Sequence, residues 1–317
     1  MPLTTDEKLL NLSRAALQGF EKADGGLHPG FRPVHAKGIL LTGAFTPSPE
    51  ASSLTAAPHM NSDSTPVSLR FSDFAGIPNV PDNDPQNASP RGCAIRFHLA
   101  EHVHTDIVAH SVDSFPARTV EGFLEFLNAL LATDPAAPHP NAIEQFLGTH
   151  PAALAFVQAP KPIPASFANE SFFAVSAFRF TNAEGVSRYG RYRMLPAAGH
   201  QYLDEAGAAA QAPNFLIDEI AQRLSKGPVK FHIMVQLAGH GDIVDDATVR
   251  WPEDRPQVAL GEISLTGVAA NNTPEQQKII FDPIPRVEGI EASADPLFEP
   301  RANIYLMSGR RRRSDKT

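Results

Sequence analysis

Apolar residues recur at helical spacing near the start of the chain. Leu9, Leu12, Ala16 and Phe20 lie on one stripe, so the segment up to Gly25-Gly26 is predicted to be a helix. Thr4 and Glu7, three residues apart, read as the capping box that opens it. From about Phe31 to Val112 the pattern changes to short β-type runs separated by turn chemistry. Strands are predicted over residues 67–72, 93–99 and 105–111, and the Pro-, Asn- and Asp-rich residues 78–90 read as loop. Helical spacing returns over residues 119–131, where Val120, Phe123, Leu124, Leu127 and Leu131 share a face. A proline-rich stretch at 160–164 leads into a predicted hairpin: a strand over 172–180, a turn at 182–185 and a strand over 187–194. A helix over 214–224 and strands over 229–237 and 258–268 complete the pattern, which contains no internal repeat. The fold class this implies is α+β, an antiparallel β core with helices inserted between its strands.

Composition narrows the function classes. The 317 residues admit one large domain or two ordinary ones, and 42% hydrophobic content is enough for a sizeable core. With 27 Lys and Arg against 35 Asp and Glu the net charge is −8, which argues against nonspecific nucleic-acid binding. The exception is a basic tail, Arg310 to Arg313, within residues 310–317. The single cysteine, Cys93, excludes an intrachain disulfide framework, a Cys-rich metal site and an iron–sulfur cluster, and there is no Cys-x-x-Cys-His for covalent haem attachment. The N-terminus has neither the basic start nor the apolar core of a signal peptide, and no run of apolar residues is long enough for a membrane span. A soluble, cytoplasmic protein is expected, with no nucleic-acid or membrane partner.

Three features have chemical potential. Arg32-Pro-Val-His-Ala-Lys-Gly38 places His35 on a segment bounded by a glycine turn. Arg301 and Tyr305, four apart, share a face if helical, and a cation beside a phenol favours the ionised form, a ligand for ferric iron. His98, His102, His104 and Asp106 have metal-like spacing. They fall where two predicted strands turn around, and a solvated turn lacks the supporting shell that a metal site needs. This cluster is therefore read as an exposed hairpin.

Together with other motifs, the first two features resemble the haem catalases. The distal-histidine motif is followed in the family's order by Thr65-Pro-Val-Ser-Leu-Arg-Phe-Ser72, Pro90-Arg-Gly92 and Asp106-Ile-Val108. Trp251-Pro252, Phe281-Asp-Pro283 and Gly289-Ile-Glu-Ala-Ser-Ala-Asp295 then lead to Arg301-x-x-x-Tyr305, so the likeness spans about Phe31 to Arg312. The chain is most similar to the short, catalase-related peroxidases. It begins close to the distal histidine, ends soon after the tyrosine, and is expected to lack the arms and C-terminal helical region of full catalases. The resemblance implies a single haem domain over residues 1–317, with a catalase-type antiparallel β-barrel core, inserted and flanking helices, and a buried haem b. A monomer or homodimer is expected rather than an interlocked tetramer.

The resemblance also implies roles. Tyr305 would be the axial iron ligand, with Arg301 balancing its charge and Asp295 orienting Arg301. His35 would be the distal acid–base group, flanked by Val34 and fixed by Ser72. Arg32, Arg70 and Arg312 would pair with the haem propionates, and Phe115 and Phe123 would pack near the ring, Phe123 serving equally well as core. Two positions depart from the family. His110 and Ser111 stand where catalases carry two asparagines, the first of which positions peroxide, so His110 is a candidate catalytic residue and a second titratable group. Arg193 stands at a position matching a proximal histidine. The implied activity is a peroxidase that reduces hydrogen peroxide with a small organic electron donor through an oxoferryl intermediate, with weak catalase activity. A true small catalase, a hydroperoxide isomerase like the allene oxide synthases, and a non-enzymatic haem-binding protein are the alternatives.

Overall fold

The computed structural model describes residues 2–134 and 136–314. The chain opens with α1 (Glu7–Ala23), β1 (Gly38–Pro47), α2 (Ala51–Leu54), β2 (Thr65–Ser72), β3 (Gly92–Ala100) and β4 (Val103–His110). Three helices follow, α3 (Val120–Leu131), α4 (Ala142–Thr149) and α5 (Pro151–Gln158), and then β5 (Phe172–Phe173), β6 (Phe178–Thr181) and β7 (Ser187–Pro196). The remainder comprises α6 (Glu205–Ala209), α7 (Phe215–Lys226), β8 (Val229–Leu237), β9 (Gln257–Val268), α8 (Asn272–Lys278), β10 (Ile290–Ala292) and α9 (Phe298–Ser314).

Strands run in the order β7-β5-β4-β3-β2-β1-β9-β8, and β8 pairs back onto β7 to close an antiparallel barrel. The strands β6 and β10 extend the sheet beyond β7. Closure follows from alternation. In β8, Val229, Phe231, Ile233 and Val235 are buried while Lys230 and His232 are exposed, so one face fills the barrel. Rings dominate that interior: Phe71 stacks on Phe167 with centroids 5.0 Å apart and on Phe172 at 5.3 Å. Each such side chain contributes about 1.5–3 kcal/mol when fully buried. The helices α1, α3 and α9 pack together outside the barrel. Among the described residues no helix is long and apolar enough to cross a membrane.

Several expectations are corrected. Residues 172–180 do not form one strand. The short β5 and β6 are separated by residues 174–177, and the break brings Ser176 to Arg301. The first helix is capped by Asp6, whose carboxylate accepts from Leu9 N at 3.1 Å, and not by Thr4. Thr4 instead ties its own N–H to Asn303 of α9. Residues 310–314 are not a free tail, because α9 runs through them: Arg311 pairs with Glu21 of α1, and Arg313 donates to the Lys278 carbonyl. Residues 315–317 lie outside the described part. The strand β1 had not been expected, since Gly38 and Gly43 dilute its β signal.

Candidate active site

The outer face of the barrel carries a row set by register. Gly38 pairs with Ser72, Ser72 with Gly92, Gly92 with His110, His110 with Phe173, and Phe173 with Arg193. Directly opposed residues point to the same face and lie about 4.8 Å apart from strand to strand. Ser72, Gly92 and His110 are therefore neighbours, although 38 positions of sequence separate the first from the last.

His35 reaches over this row from the segment before β1. Its backbone takes φ 61°, a left-handed conformation uncommon for a non-glycine residue, and is held there by its N–H on the Phe74 carbonyl at 2.6 Å. Nδ1 lies 2.9 Å from the Asp73 carbonyl and 3.2 Å from Ser72 Oγ. Gly92 makes the approach feasible, because a Cβ there would stand 2.7 Å from His35 Nδ1. Asp73 is itself anchored by Arg91, with Lys37 at 3.9 Å. Burial, helped by the charges of Arg70 and Arg32, pushes His35 down to about 3, so its ring is neutral at neutral pH.

His110 accepts the Val112 N–H on Nδ1 at 3.3 Å and faces Phe115 at 6.5 Å between ring centroids. Burial, then the proximity of His35 and Arg301, push it down to about 3, so it does not add the second titration near neutrality that its residue type suggested. Phe115 stacks on Phe123 at 5.4 Å, and Phe123 leans on Phe20 of α1 at 5.3 Å. Phe123 is thus one ring further from His110 than Phe115 and joins the helices. Val34, beside His35, is half-buried.

Tyr305 and Arg301 both lie on α9, and the Arg301 guanidinium stands 5.9 Å from the Tyr305 ring centroid. Arg301 donates to Ser176 Oγ at 3.4 Å, and the buried Asp295, whose carboxyl burial pushes up, accepts the Leu297 N–H at 2.9 Å and feels the charge of Arg301. Ser176 thus holds the Arg301 guanidinium directly, and Asp295 acts on it by charge.

Three guanidiniums converge on the segment that ends α8. Arg32 and Arg312 share the Ile279 carbonyl, at 3.0 and 3.1 Å, and Arg70 donates to Gln276 Oε1 at 2.7 Å and to the His35 and Ala36 carbonyls. Among the described residues none of the three has a carboxylate within ion-pair distance. Burial lowers all three, and like charges add to it: Arg32 is held far below its usual value by burial, Arg70 and Arg312, Arg70 falls to about 9 by burial and Arg312, and Arg312 to about 10 by burial, Arg313 and Arg311. Three like charges, Arg70 and Arg312 buried and Arg32 half-buried, bound only to neutral acceptors, are suited to a ligand carrying two carboxylates. Haem fits this donor set, with propionates for the arginines, the Tyr305 phenol for iron, and imidazoles on the distal side.

Other assignments resolve differently. Arg193 donates to Asp113 and Gln236 and lies over Phe173, serving the barrel wall. The histidine cluster is a hairpin tip, with His102 exposed at φ 61° and no metal-type cluster among the described residues. Asp106 does not belong to it. That carboxylate is buried, takes two bonds from Arg96 at 2.8 and 2.7 Å, and accepts the Asp282 N–H. Two distant motifs meet there, since Arg96 also covers Phe281.

A family model described as Catalase matches residues 30–316. The chain belongs to the catalase family. Catalase-family membership implies haem binding, consistent with the donor set above. A catalase-related peroxidase of Mycolicibacterium paratuberculosis is 35% identical over 290 residues, covering 90% of this chain and 90% of that one. A catalase-related peroxidase of Synechococcus elongatus is 32% identical, covering 89% and 84%. The structure of catalase A from Saccharomyces cerevisiae superposes with a TM-score of 0.77 at 21% identity over 98% of this chain and 65% of that chain. That likeness is one of fold, and this chain spans just under two thirds of that larger catalase.

Proposed function

We propose that this catalase-family chain is a haem b peroxidase that reduces hydrogen peroxide at the expense of a small organic electron donor and releases oxygen only weakly. The observation that carries the reading is the carboxylate-free triad Arg32, Arg70 and Arg312, with Arg70 on the His35 carbonyl and Arg312 on the helix that carries Tyr305. The full-length similarity to two proteins named catalase-related peroxidases supports the same class.

When bound, haem supplies the redox chemistry; the chain supplies its placement and the protons. Arg32, Arg70 and Arg312 would hold the propionates, and Tyr305 would ligate iron, its negative charge balanced by Arg301, which Ser176 holds. His35 Nε2, left with its lone pair by the Nδ1 contacts, accepts a proton from peroxide and returns it. A positioned group of this kind is worth about 10²–10⁴-fold in rate. His110, in place of the amide that catalases carry, offers a second peroxide fewer hydrogen-bonding groups, which favours an organic donor as reductant.

Oxygen released per peroxide consumed, with and without a phenolic donor, tests this. Donor oxidation in step with peroxide and little oxygen is expected. One oxygen per two peroxides, insensitive to donor, would instead make the protein a small catalase.

A further inference from the structure

The two distal imidazoles are held in opposite tautomers. At His35, Nδ1 faces the Asp73 carbonyl at 2.9 Å. A carbonyl only accepts, so Nδ1 carries the proton and Nε2 the lone pair. At His110 the relation is inverted, because the Val112 backbone N–H donates to Nδ1 at 3.3 Å. An amide N–H only donates, so in the neutral ring the proton of His110 resides on Nε2. The row Ser72–Gly92–His110 puts both rings on one face of the barrel. His35 occupies the space above Gly92, and His110 is the next side chain along the same face.

We propose that His110 is a fixed Nε2–H donor that positions hydrogen peroxide for His35, its tautomer selected by the backbone N–H of Val112. The pair then offers one acceptor and one donor to a molecule whose two oxygens each present one O–H and lone pairs. His110 forms a hydrogen bond to the peroxide oxygen remote from His35 and transfers nothing. The single proton that moves leaves the other oxygen for His35 Nε2, with no change in electron count at either histidine. This inference rests on the peroxide-reducing function proposed above, and it differs from a passive role for His110 as a space-filling ring.

Two measurements test it. The first needs neither haem nor peroxide: 15N spectra of the histidine-labelled apoprotein, with His110→Asn to assign the signal. They are expected to show a protonated Nε2 and an unprotonated Nδ1 at His110. A protonated Nδ1 overturns the proposal. The second is the rate constant for the reaction of hydrogen peroxide with the haem-loaded protein. His110→Leu is expected to lower it about 10- to 100-fold, while His110→Asn, which restores a donor, remains close to wild type. An unchanged rate in His110→Leu, at wild-type haem content, overturns the donor role alone. A wild-type protein that shows the Nε2–H tautomer, binds haem and leaves peroxide unconsumed overturns the underlying functional reading.

Discussion

Replacing Gly92 with alanine tests whether the distal imidazole owes its position to close approach. An added Cβ would stand 2.5 Å from Ser72 Oγ, 2.7 Å from His35 Nδ1 and 2.8 Å from His35 Cε1, where ordinary contact begins near 3.4 Å. Ser72 is buried on a central strand, so the imidazole has to give way, by about 0.7 Å or more to restore van der Waals contact. Misplacing a reacting group by about 1 Å costs about 10²-fold in rate, within the about 10²–10⁴-fold that an acid–base group contributes. Peroxide consumption by Gly92→Ala is therefore expected to fall about 10²-fold. Haem content is expected to stay at the wild-type level, because the arginine triad and Tyr305 lie on other elements. Alanine has the better intrinsic strand and helix energetics, so lost backbone propensity does not account for such a fall. The assay is stopped-flow consumption of hydrogen peroxide at fixed Soret absorbance per protein, with His35→Gln as the floor. A Gly92→Ala protein that carries full haem and matches wild type in rate refutes the placement of His35 over Gly92.

Tyr305→Phe keeps the ring and removes the oxygen proposed to ligate iron. It is expected to fold normally and to retain haem at least about tenfold more weakly in a transfer assay to apomyoglobin; unchanged retention would point to another axial ligand. His59 offers a test away from the site. It lies 4.6 Å from the Phe97 ring centroid, its Nδ1 has no partner among the described residues, and burial lowers it to about 4. The unfolded chain takes up this proton near pH 6.5 while the folded one resists, so stability is lost as pH falls from about 6.5 through about 4. His59→Leu is expected to lose roughly 3 kcal/mol less stability than wild type between pH 7 and pH 4, read from urea unfolding. Parallel pH profiles for the two proteins would remove His59 from the acid response.

What was legible in the sequence was chemistry that only certain residue types supply. An imidazole, a phenol and guanidiniums have few substitutes, so the motifs that carry His35, Tyr305, Arg32, Arg70, Arg301 and Arg312 could be matched to the haem catalases by resemblance, where type and spacing alone gave only His35 and the Arg301–Tyr305 pair as candidates. The groups that orient them are backbone or generic. Any residue supplies the carbonyl that Asp73 offers His35, and any residue but proline supplies the N–H that Val112 offers His110. Ser176 and Gln276 carry common side chains and reach Arg301 and Arg70 from 125 and 206 positions away, a separation no local pattern encodes. Gly92 opens β3 but precedes the strand expected over 93–99, so the close approach that it permits to His35, of the kind a glycine inside a strand marks, was not legible either. Arg311 and Arg313 were read as part of a basic tail because charge density was weighed without the partners Glu21 and Lys278, which draw the last turn of α9 onto the body of the protein.

Alternation along the strands ties this chemistry to the core. Phe71, Cys93, Ala109 and Phe172 belong to the barrel interior, and each is next in sequence to a member of the outer row, Ser72, Gly92, His110 and Phe173. Side chains reverse direction at every residue of a strand, so a slip of one position would send the row inward and the phenylalanines out. The apolar interior therefore opposes any register except the one that aligns Ser72, Gly92 and His110. The stack of Phe71 on Phe167 at 5.0 Å and on Phe172 at 5.3 Å spans elements far apart in sequence and fixes their depth. A tightly packed apolar barrel of this kind has few alternative arrangements. That rigidity would hold the N–H proposed for His110 on the face over which His35 lies, ready for one small substrate.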